Sequence, residues 1–306
     1  MKNWKTNITD AHNKIRQHIR KTPVIMLENF IENTNVELKL EQFQHTGSFK
    51  VRGAFNAIIS KTIPNKSVTA ASGGNHGAAV AYASSMLEYK CNIFVPNISN
   101  PAKIELIKKT GVQPNIVKGN FSDALNESLK FVKQSNSISI HAYDDKDIIS
   151  GQGTLFKEWE EQGLSSETML IAVGGGGLIS GALAWFGNNK KIVSVEPENS
   201  CALYKAIQNN NPLDVEVSGI AADALGAKKI GSHCFDLAKQ KNFVSVLVTD
   251  ESIKDAQKFL WNTLRIAVEP AGATSIAAIL SGAYKPKKNE RVSALICGAN
   301  FKLDFC

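Results

Sequence analysis

The chain has 306 residues, 43% of them hydrophobic, which is enough apolar material for one large core or two adjoining ones. The formal charge of +7 comes from 35 Lys and Arg against 28 Asp and Glu, with the Lys-Lys pairs scattered (108–109, 190–191, 228–229, 287–288), so no concentrated basic face for nucleic acid is expected, only a modest field favouring an anionic substrate. No apolar run nears the roughly 18 residues of a membrane span, the polar start Met1-Lys2-Asn3-Trp4-Lys5 opens no secretory core, and five dispersed cysteines (91, 201, 234, 297, 306) form no CxxC or Cys/His cluster, so a cytoplasmic protein without disulfides or zinc is expected.

Strand-like and helix-like runs alternate along the chain. Val68–Ala71 is a short apolar strand leading to a helix predicted from about Ala78 to Leu87. Cys91–Val95 is the next strand, closed by Pro96. Pro101 then suits a first helical turn, before a helix over Ala102–Thr110 that Gly111 stops. Gln113–Val117 reads as a strand, and Ser122-Asp123 open a helix to Lys133. Later strands are predicted at 169–173, 191–196, 243–248 and 291–297. Helices are predicted over 178–186 and over about 251–267, the second capped by Thr249 or Asp250. This alternation predicts an α/β fold of parallel sheets covered by helices. Soft turns near Pro64-Asn65 and Tyr143-Asp144-Asp145 bracket two βαβ units, 68–95 and 91–117. A small domain (67–143) inserted in a larger one (1–66 and 144–306) is therefore expected.

Gly174-Gly175-Gly176-Gly177 is the most telling motif. Four glycines follow the apolar run Met169–Val173 and precede a helix. Glycine suits neither element, because it loses the most backbone entropy on folding. Its use here implies close approach of a ligand to bare backbone, with N–H groups converging on an anion at the positive end of the helix. The loop is neither GxxxxGK[ST] nor GxGxxG, so a phosphorylated cofactor other than a nucleotide is implied; the plain alternative is a flexible turn.

Lys50 lies between Phe49 and Val51 in Ser48–Ala54. Burial there would lower its pKa from about 10.4 and free the amine for Schiff-base chemistry, whereas a surface lysine at a helix start is the ordinary reading. Ser72-Gly73-Gly74-Asn75-His76-Gly77 follows a strand at its carboxyl end, where open α/β sheets bind ligands. It would suit a substrate carboxylate, or else be a capping turn with a structural His76. Glu196-Pro197-Glu198 leaves another strand as a polar exit. Glu269–Ala273 and Cys297–Asn300 look alike in this respect, with Cys297 also readable as a small core residue.

In this order SFKVRGA, ASGGNHG, VGGGGLISG, EPAGA and CGANF closely resemble the fold-type II pyridoxal-phosphate enzymes, serine/threonine dehydratases and serine racemase above all, from about residue 15 onward. The resemblance implies a tryptophan-synthase-β-like fold of two three-layer domains, and a homodimer. It implies pyridoxal phosphate joined covalently to Lys50, its phosphate held by Gly174, Gly175, Gly176 and Gly177. Asn75 would meet the ring hydroxyl, Phe49 would lie against the ring, Cys297 would stand opposite the pyridine nitrogen, and Glu269 would complete the cofactor site. Ser72, Gly74, Asn75 and His76 would receive an amino acid substrate. A neutral Cys297 partner favours β-elimination over transamination. The expected activity is dehydration of L-threonine to 2-oxobutanoate or of L-serine to pyruvate, each with ammonia. The enzymatic alternatives are a racemase or a dehydratase of another β-hydroxy amino acid such as 3-hydroxyaspartate.

Two departures from the racemase pattern stand out. Gly73 replaces the second serine, the base on the far face, so racemisation is disfavoured. Glu196 matches a metal-binding glutamate, but Ala202 stands where an aspartate is needed, which leaves a cation site weak or absent. The chain ends soon after Asn300, so no C-terminal regulatory domain, and no isoleucine feedback through one, is expected.

Overall fold

A computed structural model describes residues 3–31, 34–239 and 243–301. Helix α1 (Trp4–Ile15) leads to the antiparallel pair β1 (Val24–Ile31) and β2 (Thr34–Leu40), and then to α2 (Lys50–Ser60). A first run of alternating elements follows: β3 (Ser67–Ala71), α3 (Asn75–Met86), β4 (Lys90–Pro96), α4 (Pro101–Lys108), β5 (Asn115–Val117), α5 (Phe121–Ser135) and β6 (Ile138–Ser139). Its four strands form one parallel sheet in the order β5-β4-β3-β6. The chain continues through α6 (Lys146–Glu161), β7 (Thr168–Ala172), α7 (Gly177–Phe186), β8 (Lys191–Pro197), α8 (Ala202–Gln208), α9 (Ala222–Leu225), α10 (Ser232–Lys239), β9 (Phe243–Val248), α11 (Asp250–Leu264), α12 (Pro270–Leu280) and β10 (Val292–Ile296). These strands join the first pair in a six-stranded sheet, β1-β2-β10-β7-β8-β9, parallel apart from β1 with β2.

The sequence explains the central strands. Met169, Leu170, Ile171 and Ala172 of β7 are buried along their whole run, as are Val292, Ala294, Leu295 and Ile296 of β10. Continuous apolar runs are what a parallel sheet covered on both faces requires. Each sheet has its own apolar core. The smaller core draws in Ile15 of α1, Val51, Phe55 and Ile58 of α2 and Ile148 of α6; α1 and α6 also place Ile8 and Leu155 in the larger core, so these two helices bridge the sheets.

Several predicted boundaries move. α3 begins at Asn75 rather than Ala78, because Gly74 is already the N-cap and Asn75, His76 and Gly77 form the first turn. α5 is capped by Asn120, whose side chain accepts from the Ser122 amide while Asp123 reaches back to the Asn120 amide, so it opens before Ser122. α11 ends at Leu264, where Arg265 turns left-handed, and its cap is Thr249. Glu269 leaves no strand: it is the N-cap of α12, with Pro270 at the first helical position.

A buried ion cluster fixes where α2 starts. The fully buried Arg52 guanidinium donates to both oxygens of Glu41, beyond β2, at 2.9 and 2.7 Å. It also donates to both oxygens of Glu158 in α6, at 3.0 and 3.1 Å. Lys39 closes the cluster, 2.6 Å from Glu158. The planar five-donor guanidinium suits two carboxylates at once.

Candidate active site

The carboxyl ends of both sheets converge on one cleft. Phe49, Lys50, Asn75, Tyr143, the four glycines 174–177 and Cys297 line it, together with Leu225 and Ala271. The cleft is narrow, with about 40 Å³ open to a water-sized sphere. Residues far apart in sequence meet here because a short strap joins two chain segments. The Phe49 amide donates to the Cys297 carbonyl at 3.2 Å, the Ala299 amide donates to the Gly47 carbonyl at 3.0 Å, and Ser48 pairs with Gly298. The strap sets the first residue of α2, Lys50, beside the residue that follows β10, Cys297.

The Lys50 amine donates to the Ala142 carbonyl at 3.0 Å and sits 5.4 Å from the centre of the Phe49 ring. Burial lowers its pKa to about 8, although Cys297 and Glu269 pull the other way. A lysine at this value is substantially unprotonated in mildly alkaline solution, as a nucleophilic or basic amine must be. Burial pushes the Cys297 thiol far up, with the Glu269 charge adding to the effect, so this cysteine is a neutral S–H whose sulfur lies 3.3 Å from the Ala271 carbonyl it donates to.

The glycine loop is shaped by what packs behind it. A Cβ at Gly174 would stand 2.9 Å from Leu225 Cα, and one at Gly177 would stand 3.0 Å from Tyr143 Cα. A Cβ at Gly175 would run into the Tyr143 ring. Gly176 has φ +94 and faces Cys234, so both conformation and space exclude a side chain. Gly176 is the N-cap of α7, and no side chain caps that helix. Its first N–H groups are left for an anion, as a phosphate would require. A lowered-pKa lysine, a bare-backbone anion cradle and a neutral thiol in one cleft fit pyridoxal phosphate.

The loop after β3 splits in role. The Ser72 hydroxyl accepts from the Gly74 amide at 3.2 Å, and Asn75 reaches into the cleft. The His76 ring turns the other way. It is buried, its Nε2–H donates to the Ile140 carbonyl at 2.9 Å, and burial followed by the Lys50 charge lowers its pKa to about 3. His76 is a neutral structural histidine, and only its backbone is available to a ligand at this turn. Gly73 is imposed by its neighbour: a Cβ there would collide with Ser99 Oγ, from the loop after β4.

Glu196 does not stand ready for a metal. Its two oxygens accept the Leu203 and Tyr204 amides, both at 2.8 Å, at the start of α8. Burial raises its pKa to about 8 even though these bonds favour the charged form. Among the described residues no group of three or more His, Cys, Asp or Glu side chains is placed to hold a metal ion. The described cysteines 91, 201, 234 and 297 are free, and no helix among the described residues is long and apolar enough to cross a membrane.

Sequence reasoning missed three participants. Tyr143, taken for a turn, backs the glycine loop. Lys103 and Asp223 had no motif to reveal them. Lys103 lies 2.6 Å from Asp223 and 3.0 Å from Glu269, and Glu269 in turn accepts from the Asn75 side-chain amide at 2.6 Å. The Asn300 side chain donates to Asn75 at 2.9 Å, which completes the network around the CGANF segment.

Known proteins resemble this chain over nearly its whole length. A serine racemase of Dictyostelium discoideum is 34% identical over 97% of this chain and 94% of its own length. A catabolic L-threonine dehydratase of Staphylococcus aureus is also 34% identical, over 97% of this chain and 89% of its own. The solved structure of maize serine racemase, 27% identical, superposes with a TM-score of 0.92 over 98% of this chain and 94% of that one. The model of the pyridoxal-phosphate dependent enzymes matches residues 15–298, and the chain belongs to that family.

Proposed function

We propose that this protein is a serine/threonine dehydratase, an ammonia-lyase that converts L-threonine to 2-oxobutanoate, or L-serine to pyruvate, with release of ammonia. The observation that carries the reading is the Lys50 amine, lowered to about 8 by burial, in one cleft with the glycine cradle and an uncharged Cys297. The N–H groups of Gly174 to Gly177, at the positive end of α7, hold the cofactor phosphate. Lys50 would hold the cofactor covalently between turnovers. Phe49, Asn75, Glu269 and Cys297 surround its ring. When bound, pyridoxal phosphate supplies an electron sink for the pair left at Cα. The backbone N–H groups from Ser72 to His76 and the Asn75 side chain receive the substrate carboxylate. Freed when the substrate amine takes its place, the Lys50 amine would accept the Cα proton; the β-hydroxyl would leave as water with a proton returned from Lys50 or the solvent, and the enamine left behind would take up water and lose ammonia to give the keto acid. Elimination would be favoured, because Cys297 keeps its proton and would offer the ring no charge.

We also place the domain boundaries at 66/67 and 143/144, in keeping with the two separate sheets, and assign a homodimer in the cytoplasm. Ammonia and keto-acid assays on L-threonine and L-serine test the activity. Both products are expected from at least one of the two, and absence of keto acid from each would refute the reading.

One observation favours a second reading, racemisation. Ser99 Oγ lies where a side chain at position 73 would stand, so a hydroxyl reaches that place from another loop. Chiral analysis of L-serine incubations distinguishes the two readings. D-serine that disappears in Ser99→Ala supports racemisation, and none in the wild type supports dehydration alone.

A further inference from the structure

We propose that Lys103 is a positioning residue that neutralises Glu269 beside Lys50 and so keeps the Lys50 amine reactive. The inference rests on the proposed role of Lys50, and its test is built to fail separately.

Lys103 is 1% exposed although it lies on the surface helix α4. Burying an ammonium is costly unless it is paired. Nothing in α4 itself requires it, since an apolar residue would fill the same space without that cost. Its partners lie on the far side of the cleft. The Lys103 Nζ is 3.0 Å from Glu269 Oε2 and 2.6 Å from Asp223 Oδ2. Glu269 is itself 2% exposed, and its other oxygen accepts from Asn75 Nδ2. The room for that carboxylate is made by Gly298, where a Cβ would collide with Glu269 Oε1. Lys103 and Asn75 come from the smaller sheet's helices, whereas Glu269 and Asp223 come from the α12 and α9 segments. One buried carboxylate thus joins both halves of the cleft and orients a cleft-lining amide.

The charge balance gives this arrangement a consequence at Lys50. The charged and titratable groups that act with Lys50 are Cys297 and Glu269 on one side and His76 and His141 on the other. Cys297 and then Glu269 favour a protonated Lys50; since Cys297 holds its proton, the fixed charge is that of Glu269, whose carboxylate is bonded to the cleft-lining Asn75 and stands against Gly298, the partner of Ser48 two residues before Lys50. Lys103 screens that charge. Without Lys103 the Glu269 charge would act on Lys50 uncompensated, and the amine would stay protonated to higher pH. Asp223 is 45% exposed at its side chain, so solvent already screens it and it adds little at Lys50.

The test uses the cofactor-free full-length protein and an amine-selective acylating reagent, with labelling at Lys50 followed by peptide mass spectrometry against pH. Lys103→Met is expected to move the labelling midpoint of Lys50 up by roughly one pH unit. Lys103→Arg, which keeps the charge, is expected to leave it in place. Glu269→Gln is expected to move it down, and the double variant to return it near the wild-type value. The downward shift in Glu269→Gln decides the matter if Lys103→Met does not fold. Midpoints unchanged in folded Lys103→Met, or unchanged in Glu269→Gln, overturn the proposal. These measurements hold whatever substrate the enzyme uses, so loss of the dehydratase reading alone would leave them standing.

Discussion

At the scale of single residues, the chemistry depends on one amine and its surroundings. Desolvation lowers Lys50 to about 8, against an ordinary value of 10.5. The sign follows directly: a base whose pKa is lowered is charged below that value and free above it. Labelling of Lys50 in the cofactor-free wild type should therefore rise through about pH 8. A midpoint near the ordinary value of 10.5 would mean that the cleft does not tune Lys50. Lys50→Ala should lower keto-acid formation by at least about 10²–10⁴-fold, the usual worth of a general base. The sequence placed Lys50 beside Phe49 but could not say whether it was buried. That depends on Cys297, nearly 250 positions away, and on a strap between residues 47–49 and 297–299. His76 shows the reverse: its place in the motif suggested a ligand contact, while its ring is consumed by Ile140 across the smaller core.

At the scale of elements, the glycine cradle and the start of α2 are held by different means. Close packing behind the loop leaves no room for a side chain at Gly174, Gly175 and Gly176 and little at Gly177, and a need for bare backbone was legible, because a tetrad between a strand and a helix has few other uses. The reason for Gly175 was not legible, since Tyr143 reaches it from another part of the chain. Gly175→Ala should cost the cofactor cradle its shape. Cofactor binding, followed by visible absorbance, is expected to weaken at least tenfold while the far-ultraviolet spectrum stays native; unchanged affinity would show that the loop tolerates a side chain. The α2 start depends on Arg52 between Glu41 and Glu158, all buried. Removing one partner from a buried ion cluster strands the rest. Arg52→Ala is expected to destabilise the fold by about 3–5 kcal/mol in urea unfolding, and a loss below about 1 kcal/mol would show that water or rearrangement satisfies the two carboxylates. Sequence reasoning quoted Arg52 inside a motif without seeing this role, because its partners are defined only by tertiary packing.

At the scale of the whole molecule, alternating apolar runs foretold parallel sheets covered by helices and placed β3, β4, β5, β7, β8, β9 and β10 but not β1, β2 or β6, since long buried strands leave the stronger local signature. The antiparallel start, the bridging helices α1 and α6, and the polar network across the cleft left no such trace. Lys103, Asp223 and Glu269 become a unit only when the two sheets face each other. The account's central claim is that Lys50 carries the cofactor above the glycine cradle. Borohydride fixation of the protein after incubation with pyridoxal phosphate, followed by peptide mass spectrometry, tests it most directly. The account predicts one cofactor mass on the peptide containing Lys50, lost in Lys50→Ala together with the yellow colour. A modified peptide elsewhere in the chain, or a colourless and unmodified protein, would contradict it.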